Sequence, residues 1–232
     1  LDIGGASVHV FFVMHSVENF LSSEHCSLKI CGVTTRADAL GLVKRGVHAL
    51  GVNFWPLSKR YIDPDVASPW LREVKGEILR VGVFVNAASS FIAEIFHKGL
   101  IDVVQLHGDE CPDDMMTLKS LGIPCIKAHG IKLPEDLEAL ATFSQADALL
   151  LDTAAPGVYG GTGEVFDWRL VLKAKELLPK MPIILAGGIN PGNVRDAIHQ
   201  TQPAAIDVAS GAEISPGIKD FTKVEALLNA LR

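Results

Sequence analysis

Only four cysteines stand among the 232 residues, at Cys26, Cys31, Cys111 and Cys125, and no two of them form a Cys-x-x-Cys pair. That is too few to staple a small secreted scaffold, and it gives zinc no sequence support. A reducing, cytoplasmic setting is the simpler expectation. Basic charge is also short: 21 Lys and Arg against 27 Asp and Glu leave a formal net charge of −6. A chain that tracks a nucleic-acid backbone normally carries the opposite excess, so no nucleic-acid partner is expected. No run of about 18 uninterrupted apolar residues occurs, and no membrane span is expected. Disorder lacks its composition too, because hydrophobic residues make up 48% of the chain. No Lys or Arg precedes Lys29, which argues against a secretory signal or an Arg-rich transit peptide. Residues 1–27 therefore read as an extension of open role: part of a longer chain, a mis-set start or a helical appendage.

What is present is a rhythm that begins after Ser27. Short apolar runs occupy 28–31, 49–54, 79–85, 103–106, 124–128, 148–152, 182–186 and 205–209, and amphipathic stretches of helix length separate them. The 205 residues from 28 to 232 give about 26 for each of these eight units, close to a minimal strand–loop–helix repeat. Helix starts are marked by Thr34 and Thr35 before Arg36, and by Pro64, Pro112, Pro134 and Pro191; Asp167 is a candidate cap and Gly46 a stop. Leu227, Leu228 and Leu231 suit the buried face of a last helix. Continuous apolar strands alternating with helices imply a parallel sheet covered on both faces. Eight units favour a single closed (β/α)8 TIM barrel over residues 28–232. The competitor, an open doubly wound sheet, should show Gly-x-Gly-x-x-Gly after its first strand, where this chain has Cys31-Gly32-Val33-Thr34 with one glycine.

In such a barrel the chemistry gathers at the carboxyl ends of the strands. Those positions hold Cys31, Asn53, Asn86, Gln105, His107, His129, Asp152, Gly187, Gly188, Ser210 and Gly211. The turns Ala186-Gly187-Gly188-Ile189-Asn190 and Ala209-Ser210-Gly211-Ala212-Glu213 follow the seventh and eighth runs, the recurring place for a phosphate. Glycine lets backbone N–H groups approach an anion closely, although ordinary turns use it as well. The cluster Tyr159-Gly160-Gly161-Thr162-Gly163 reads as a mobile lid over substrate, against the plainer reading of a surface loop. Gln105 and His107 lie two apart and point the same way, into the pocket or, for His107, out to solvent. His129 is expected on an exposed loop. Cys26, Cys111 and Cys125 read as structural.

Taken together, these segments resemble one family. Lys29-Ile30-Cys31-Gly32-Val33-Thr34 is similar to the opening motif of the phosphoribosylanthranilate isomerases of tryptophan biosynthesis. Further segments match in order: 58–62 (Ser-Lys-Arg-Tyr-Ile), 80–86, 104–108 (Val-Gln-Leu-His-Gly), 151–153 with 160–163 and 166–168, 187–191, 207–213 and 217–220. The resemblance spans about 28–232 and implies an Amadori rearrangement of the aminoaldose N-(5′-phosphoribosyl)anthranilate to an aminoketose. It implies neither a redox cofactor nor a metal. By resemblance Cys31 is the general base and Asp152 the general acid. A thiol needs a modest downward shift from about 8.5 to serve, and an Asp must be raised from about 3.9 to stay protonated. Arg60 would clamp the anthranilate carboxylate, as a guanidinium can do with two parallel hydrogen bonds. Gln105, His107, Gly161, Thr162, Gly163, Gly187, Gly188, Ala209, Ser210 and Gly211 would bind the rest of the substrate. Lys219 and Asp220 read as a capping and ion-pair feature at the last helix rather than chemistry.

The chain departs from the family pattern at Ala209, commonly a serine, at Asn53, commonly apolar, and at 154–158, where the loop is slightly longer. Two other readings remain open at this point. One is the related sugar isomerase of histidine synthesis, whose pattern has an Asp where Cys31 stands. The other is a catalytically idle barrel that binds a phosphorylated ligand. Small-molecule substrate is the expected partner, with other enzymes of the tryptophan pathway as further candidates.

Overall fold

The computed structural model describes residues 16–22, 24–153 and 167–232. Eight parallel strands close into one ring: β1 (Ser27–Ile30), β2 (Ala49–Asn53), β3 (Leu79–Phe84), β4 (Val103–Leu106), β5 (Cys125–Ile131), β6 (Ala148–Thr153), β7 (Ile183–Leu185) and β8 (Ala205–Val208). Each pairs with the next in chain order. β8 returns to β1, with Lys29 opposite Asp207 and Ile30 opposite Val208. The chain thus forms the expected (β/α)8 barrel, and the open doubly wound sheet is excluded.

The strands are legible because each is buried on both faces, which requires near-continuous apolar sequence. Successive side chains alternate. Leu28, Ile30, Leu50, Val52 and Leu106 face the surrounding helices. Ala49, Leu79, Val81, Val103, Ile126, Ala128, Ala148, Leu150, Ile184, Ala186 and Ala205 form a separate cluster inside the ring. A short helix, α1 (Val17–Phe20), precedes the barrel, and Phe20 joins that inner cluster with Val17 and Leu21 against it. Most of its companions lie at the amino ends of their strands, so Phe20 plugs the floor of the barrel.

Six of the outer segments are ordinary α-helices before the last: α2 (Arg36–Lys44), α3 (Pro64–Glu73), α4 (Ser89–His97), α5 (Pro112–Ser120), α6 (Arg169–Leu177) and α7 (Val194–Thr201). Thr35 caps α2 by accepting the Asp38 N–H, and Asp63 caps α3 directly before Pro64. Asp167 accepts the N–H of Arg169 at the start of α6. The segment Pro134–Phe143 departs from expectation, winding as a 3-10 helix. Its buried residues Leu137, Leu140 and Phe143 recur every third position, the repeat of that tighter helix. Pro191 does not open α7 either. Asn190 accepts the Gly192 N–H and Asn193 accepts the Asn190 N–H, so these two side chains hold a turn until Val194.

After β8 come a 3-10 turn, Ser210–Ala212, a hairpin of β9 (Glu213–Ser215) and β10 (Ile218–Lys219), and α8 (Phe221–Ala230). Asp220 caps α8 through the N–H groups of Thr222 and Lys223. None of the described helices is long and apolar enough to cross a membrane.

Candidate active site

The carboxyl ends of the strands carry two clusters of polar side chains. The first surrounds Cys31, the residue directly after β1. Inward alternation puts Lys29 and Cys31 on the same face of that strand. Lys29 is fully buried, and its Nζ lies 2.9 Å from Oδ1 of Asp207 on β8. Gly51 on β2 faces both residues: a Cβ there would stand 2.9 Å from Cys31 Sγ and 3.1 Å from Lys29 Nζ. From the hairpin, Lys219 Nζ donates to the Cys31 carbonyl at 2.6 Å and to Oε1 of Glu213 at 2.7 Å. Arg60, on the loop after β2, donates from Nε and Nη2 to the two oxygens of Glu213 at 2.9 and 2.7 Å. Glu213 also accepts the Gly217 N–H.

Burial and charge compete over each of these groups. Burial pushes the Cys31 thiol up; Lys29 and Lys219 pull it down, Asp207 adds to the rise, and the net direction is upward. The downward shift expected for a ready base is therefore not found, because a thiolate in this setting gives up its hydration. Burial also opposes the Lys29 ammonium, but Asp207 and the thiol outweigh it and raise its pKa. Lys219 is lowered by burial despite Glu213. Glu213 is pushed up by burial, yet hydrogen bonds from Arg60 and the charge of Lys219 hold it below the usual carboxylate range.

The second cluster surrounds Asp152 on β6, with β8 and β7 between it and β1 in the ring. One carboxylate oxygen accepts the Thr153 N–H at 2.7 Å, and the other lies 3.5 Å from Nε2 of His107. The intervening strand β5 presents Gly130 beside Asp152, which leaves room for the contact. His107 Nδ1 is 2.8 Å from Nε2 of Gln105, so both residues point inward. Gln105 is fully buried, and its Oε1 has no hydrogen-bond partner among the described residues.

The two glycine turns lie between these clusters. Gly187 has a φ of +80°, and a Cβ there would press to 2.4 Å from Thr153 Oγ1 and 3.1 Å from Asp152 Oδ1. Gly187 therefore lies against the Asp152 strand end. Gly211 closes on the other turn: a Cβ would meet the Ile189 carbonyl at 2.0 Å. Ala209 directly follows β8, and Ser210 and Gly211 begin the 3-10 turn, with Gly211 beside Ile189 and Asn190. Gly161, Thr162 and Gly163, with the expected lid and residues 154–158, lie outside the described residues.

Other candidates separate from the site. His129 is a half-buried member of β5 rather than a loop residue, and burial lowers its pKa. Asn53 accepts the Trp55 N–H at 2.9 Å and so shapes the turn after β2. Burial lifts the Cys26 and Cys125 thiols to about 12, which suits structural cysteines.

The family model of N-(5′-phosphoribosyl)anthranilate isomerase matches residues 28–230. The chain belongs to the phosphoribosylanthranilate isomerase family. Curated isomerases of this name from Syntrophus aciditrophicus and Myxococcus xanthus are 42% and 43% identical to it, each over 88% of this chain and over 86% and 95% of their own. The solved phosphoribosylanthranilate isomerase of Thermotoga maritima superposes with a TM-score of 0.81 at 36% identity, covering 89% of this chain and 98% of that one. A second solved member, at 35% identity and a TM-score of 0.79 with the same coverage, holds reduced 1-(o-carboxyphenylamino)-1-deoxyribulose 5-phosphate.

Three residues at this phosphoribosylanthranilate isomerase fold's mouth, Lys29, Asp207 and Glu213, were not singled out in the sequence. Lys219 does make an ion pair, as expected, but beneath Cys31 rather than at the start of α8. A signal for two of them existed. Lys29 and Asp207 occupy inward positions in otherwise apolar runs, and a fully buried Lys requires a partner.

Proposed function

We propose that this chain converts N-(5′-phosphoribosyl)anthranilate into 1-(2-carboxyphenylamino)-1-deoxyribulose 5-phosphate by general acid–base catalysis. The observation that carries the residue roles is the placement of Cys31 and Asp152 at one barrel mouth, with two glycine turns between them. Asp152 donates a proton to the ribose ring oxygen. The C1′–O4′ bond breaks, and the anthranilate nitrogen lone pair forms the iminium. Cys31 as thiolate takes the C2′ proton, the C2′–H bonding pair becomes the C1′=C2′ bond, and the iminium π pair returns to nitrogen, giving an enolamine. Tautomerisation of the C2′ enol gives the ketone.

Arg60 receives the anthranilate carboxylate. Gly187, Gly188, Ala209, Ser210 and Gly211 receive the phosphate through backbone N–H groups, the usual use of this part of the barrel. Gln105 and His107 line the ribose side next to Asp152. Gly161, Thr162 and Gly163 are assigned to substrate on the family motif alone. Free cysteines fit a reducing compartment, and the cytosol is the proposed location.

The test is the loss of substrate fluorescence with freshly made aminoaldose, with the histidine-pathway aminoaldose as the control. Cys31→Ala and Asp152→Asn are each expected to cut kcat by about 100-fold or more, the scale of one general acid or base, while phosphate-analogue affinity survives. Near-normal turnover in either variant removes that residue from the mechanism.

A further inference from the structure

We propose that Lys29 is the positioning residue for Cys31: its ammonium group, backed by Asp207, supplies the counter-charge against which the thiolate forms, and Gly51 keeps their meeting place open. The inference rests on the reading of Cys31 as the base and adds a residue to that machinery.

Three observations carry it. Lys29 is fully buried inside the ring, where an ammonium group is costly unless it is paired. Its Nζ pairs with Asp207 on one side, and on the other it shares with the Cys31 Sγ the space over Gly51, where a Cβ would stand 3.1 Å from Nζ and 2.9 Å from Sγ. Gly51 presents bare backbone to both atoms, and any side chain there would wedge against Sγ and Nζ. A lysine that only pinned β1 to β8 would need Asp207 but not the open face of Gly51.

The charges around the thiol agree with this. Facing it or its immediate neighbours are Lys29 on β1, Asp207 on β8, Lys219 on β10, Arg60 on the β2–α3 loop and Glu213 on β9. Glu213 serves Arg60 and Lys219 together. Asp38 on α2 meets the backbone N–H of Lys219 rather than its ammonium group. The five groups carry three positive and two negative charges, and a Cys31 thiolate completes the balance. Across the mouth, Asp152 has Nε2 of His107 3.5 Å away. Lys29 is the cation that meets the sulfur from within the same strand, and its contact with Asp207 uses one of three ammonium hydrogens.

The experiment reads the thiol directly, in the full chain and without substrate. Alkylation of Cys31 by iodoacetamide is followed against pH, with the Cys31 peptide quantified by mass spectrometry so that the other cysteines do not contribute. Lys29→Met is expected to move the midpoint up by about one pH unit or more, a tenfold lower thiolate fraction at fixed lower pH. Asp207→Asn is expected to move it down. Because Lys29→Met leaves a carboxylate buried alone and can fail to fold, the double variant Lys29→Met/Asp207→Asn is measured beside it. The double variant is also expected to titrate above the unsubstituted chain. The acid limb of kcat should move with the midpoint while KM changes little. An unchanged midpoint in the double variant, or in Lys29→Met where it folds, overturns the proposal and leaves Lys29 as a barrel pin. Shifted midpoints in a chain that does not turn over the aminoaldose would uphold the proposal and sink the isomerase reading instead.

Discussion

Arg60 meets a carboxylate that already belongs to the protein. Nε and Nη2 are engaged by Glu213, which leaves the Nη1 edge for the carboxylate contact proposed above. Glu213 fixes the guanidinium plane, so its orientation is set before substrate arrives. Arg60→Met is expected to raise KM by about 10- to 100-fold, the worth of a charge-assisted hydrogen bond. The penalty should shrink for an analogue carrying aniline in place of anthranilate. Equal losses on both substrates, measured by steady-state kinetics, would remove the carboxylate role. At this scale the sequence was partly legible. Cys31 and Asp152 stand at strand ends, where a reader looks for chemistry, and Arg60, on the loop after β2, was legible through the family motif at 58–62. Glu213 and Lys219 are legible only through contacts that join the hairpin to Arg60 and Cys31, 153 and 188 positions away.

At the scale of elements, the apolar runs were enough to place the strands, because a strand covered on both faces has little freedom to be polar. The helices were less legible. Pro134 signals a helix start but not which helix, and three-residue spacing of Leu137, Leu140 and Phe143 selects the 3-10 form. Pro191 signals a start that the Asn190 and Asn193 turns postpone. The role of α1 was not legible, since a four-residue helix with one buried side chain has no periodicity to read. Its anchor is Phe20, 3% exposed within the inner cluster. Phe20→Ala is expected to cost about 3 kcal/mol or more of stability by opening a cavity in the floor. The site is at the other end of the barrel, so kcat should hold at temperatures where the variant is folded. A denaturant titration showing no loss would mean that α1 only rests on the barrel.

For the whole molecule, net negative charge does not attract an anionic substrate over distance, and the local groups at the mouth must do that work. Charge also shapes its pH limits. The Cys125 thiol has a folded pKa of about 12 against 9.0 ordinarily, raised by burial first and by Asp147 second. Folding thus favours the protonated thiol. Its contribution is intact below pH 9, then falls as the unfolded chain ionises between pH 9 and 12, by an amount of about 4 kcal/mol at most. Cys125→Ala is expected to flatten that alkaline limb in denaturant titrations run from pH 8 to 11. An unchanged slope would show that this thiol ionises alike in both states.

The pairing of Lys29 with Asp207 spans 178 positions of sequence. On the ribosome, the first strand is made long before its carboxylate. At about 5–20 residues per second the wait is roughly 10–40 s. Through that interval Lys29 has no counter-ion with which to enter a dry interior, so β1 must stay wet and the ring must remain open at its first strand. A nascent chain stalled before β8 should acetylate at Lys29 as readily as at a surface lysine, and the finished chain should resist. Protection already present in the stalled chain would show that the barrel closes around some other partner. The pair thus makes closure of the ring a timer for completed synthesis: no half-made barrel can bury the Lys29 ammonium group beside Cys31.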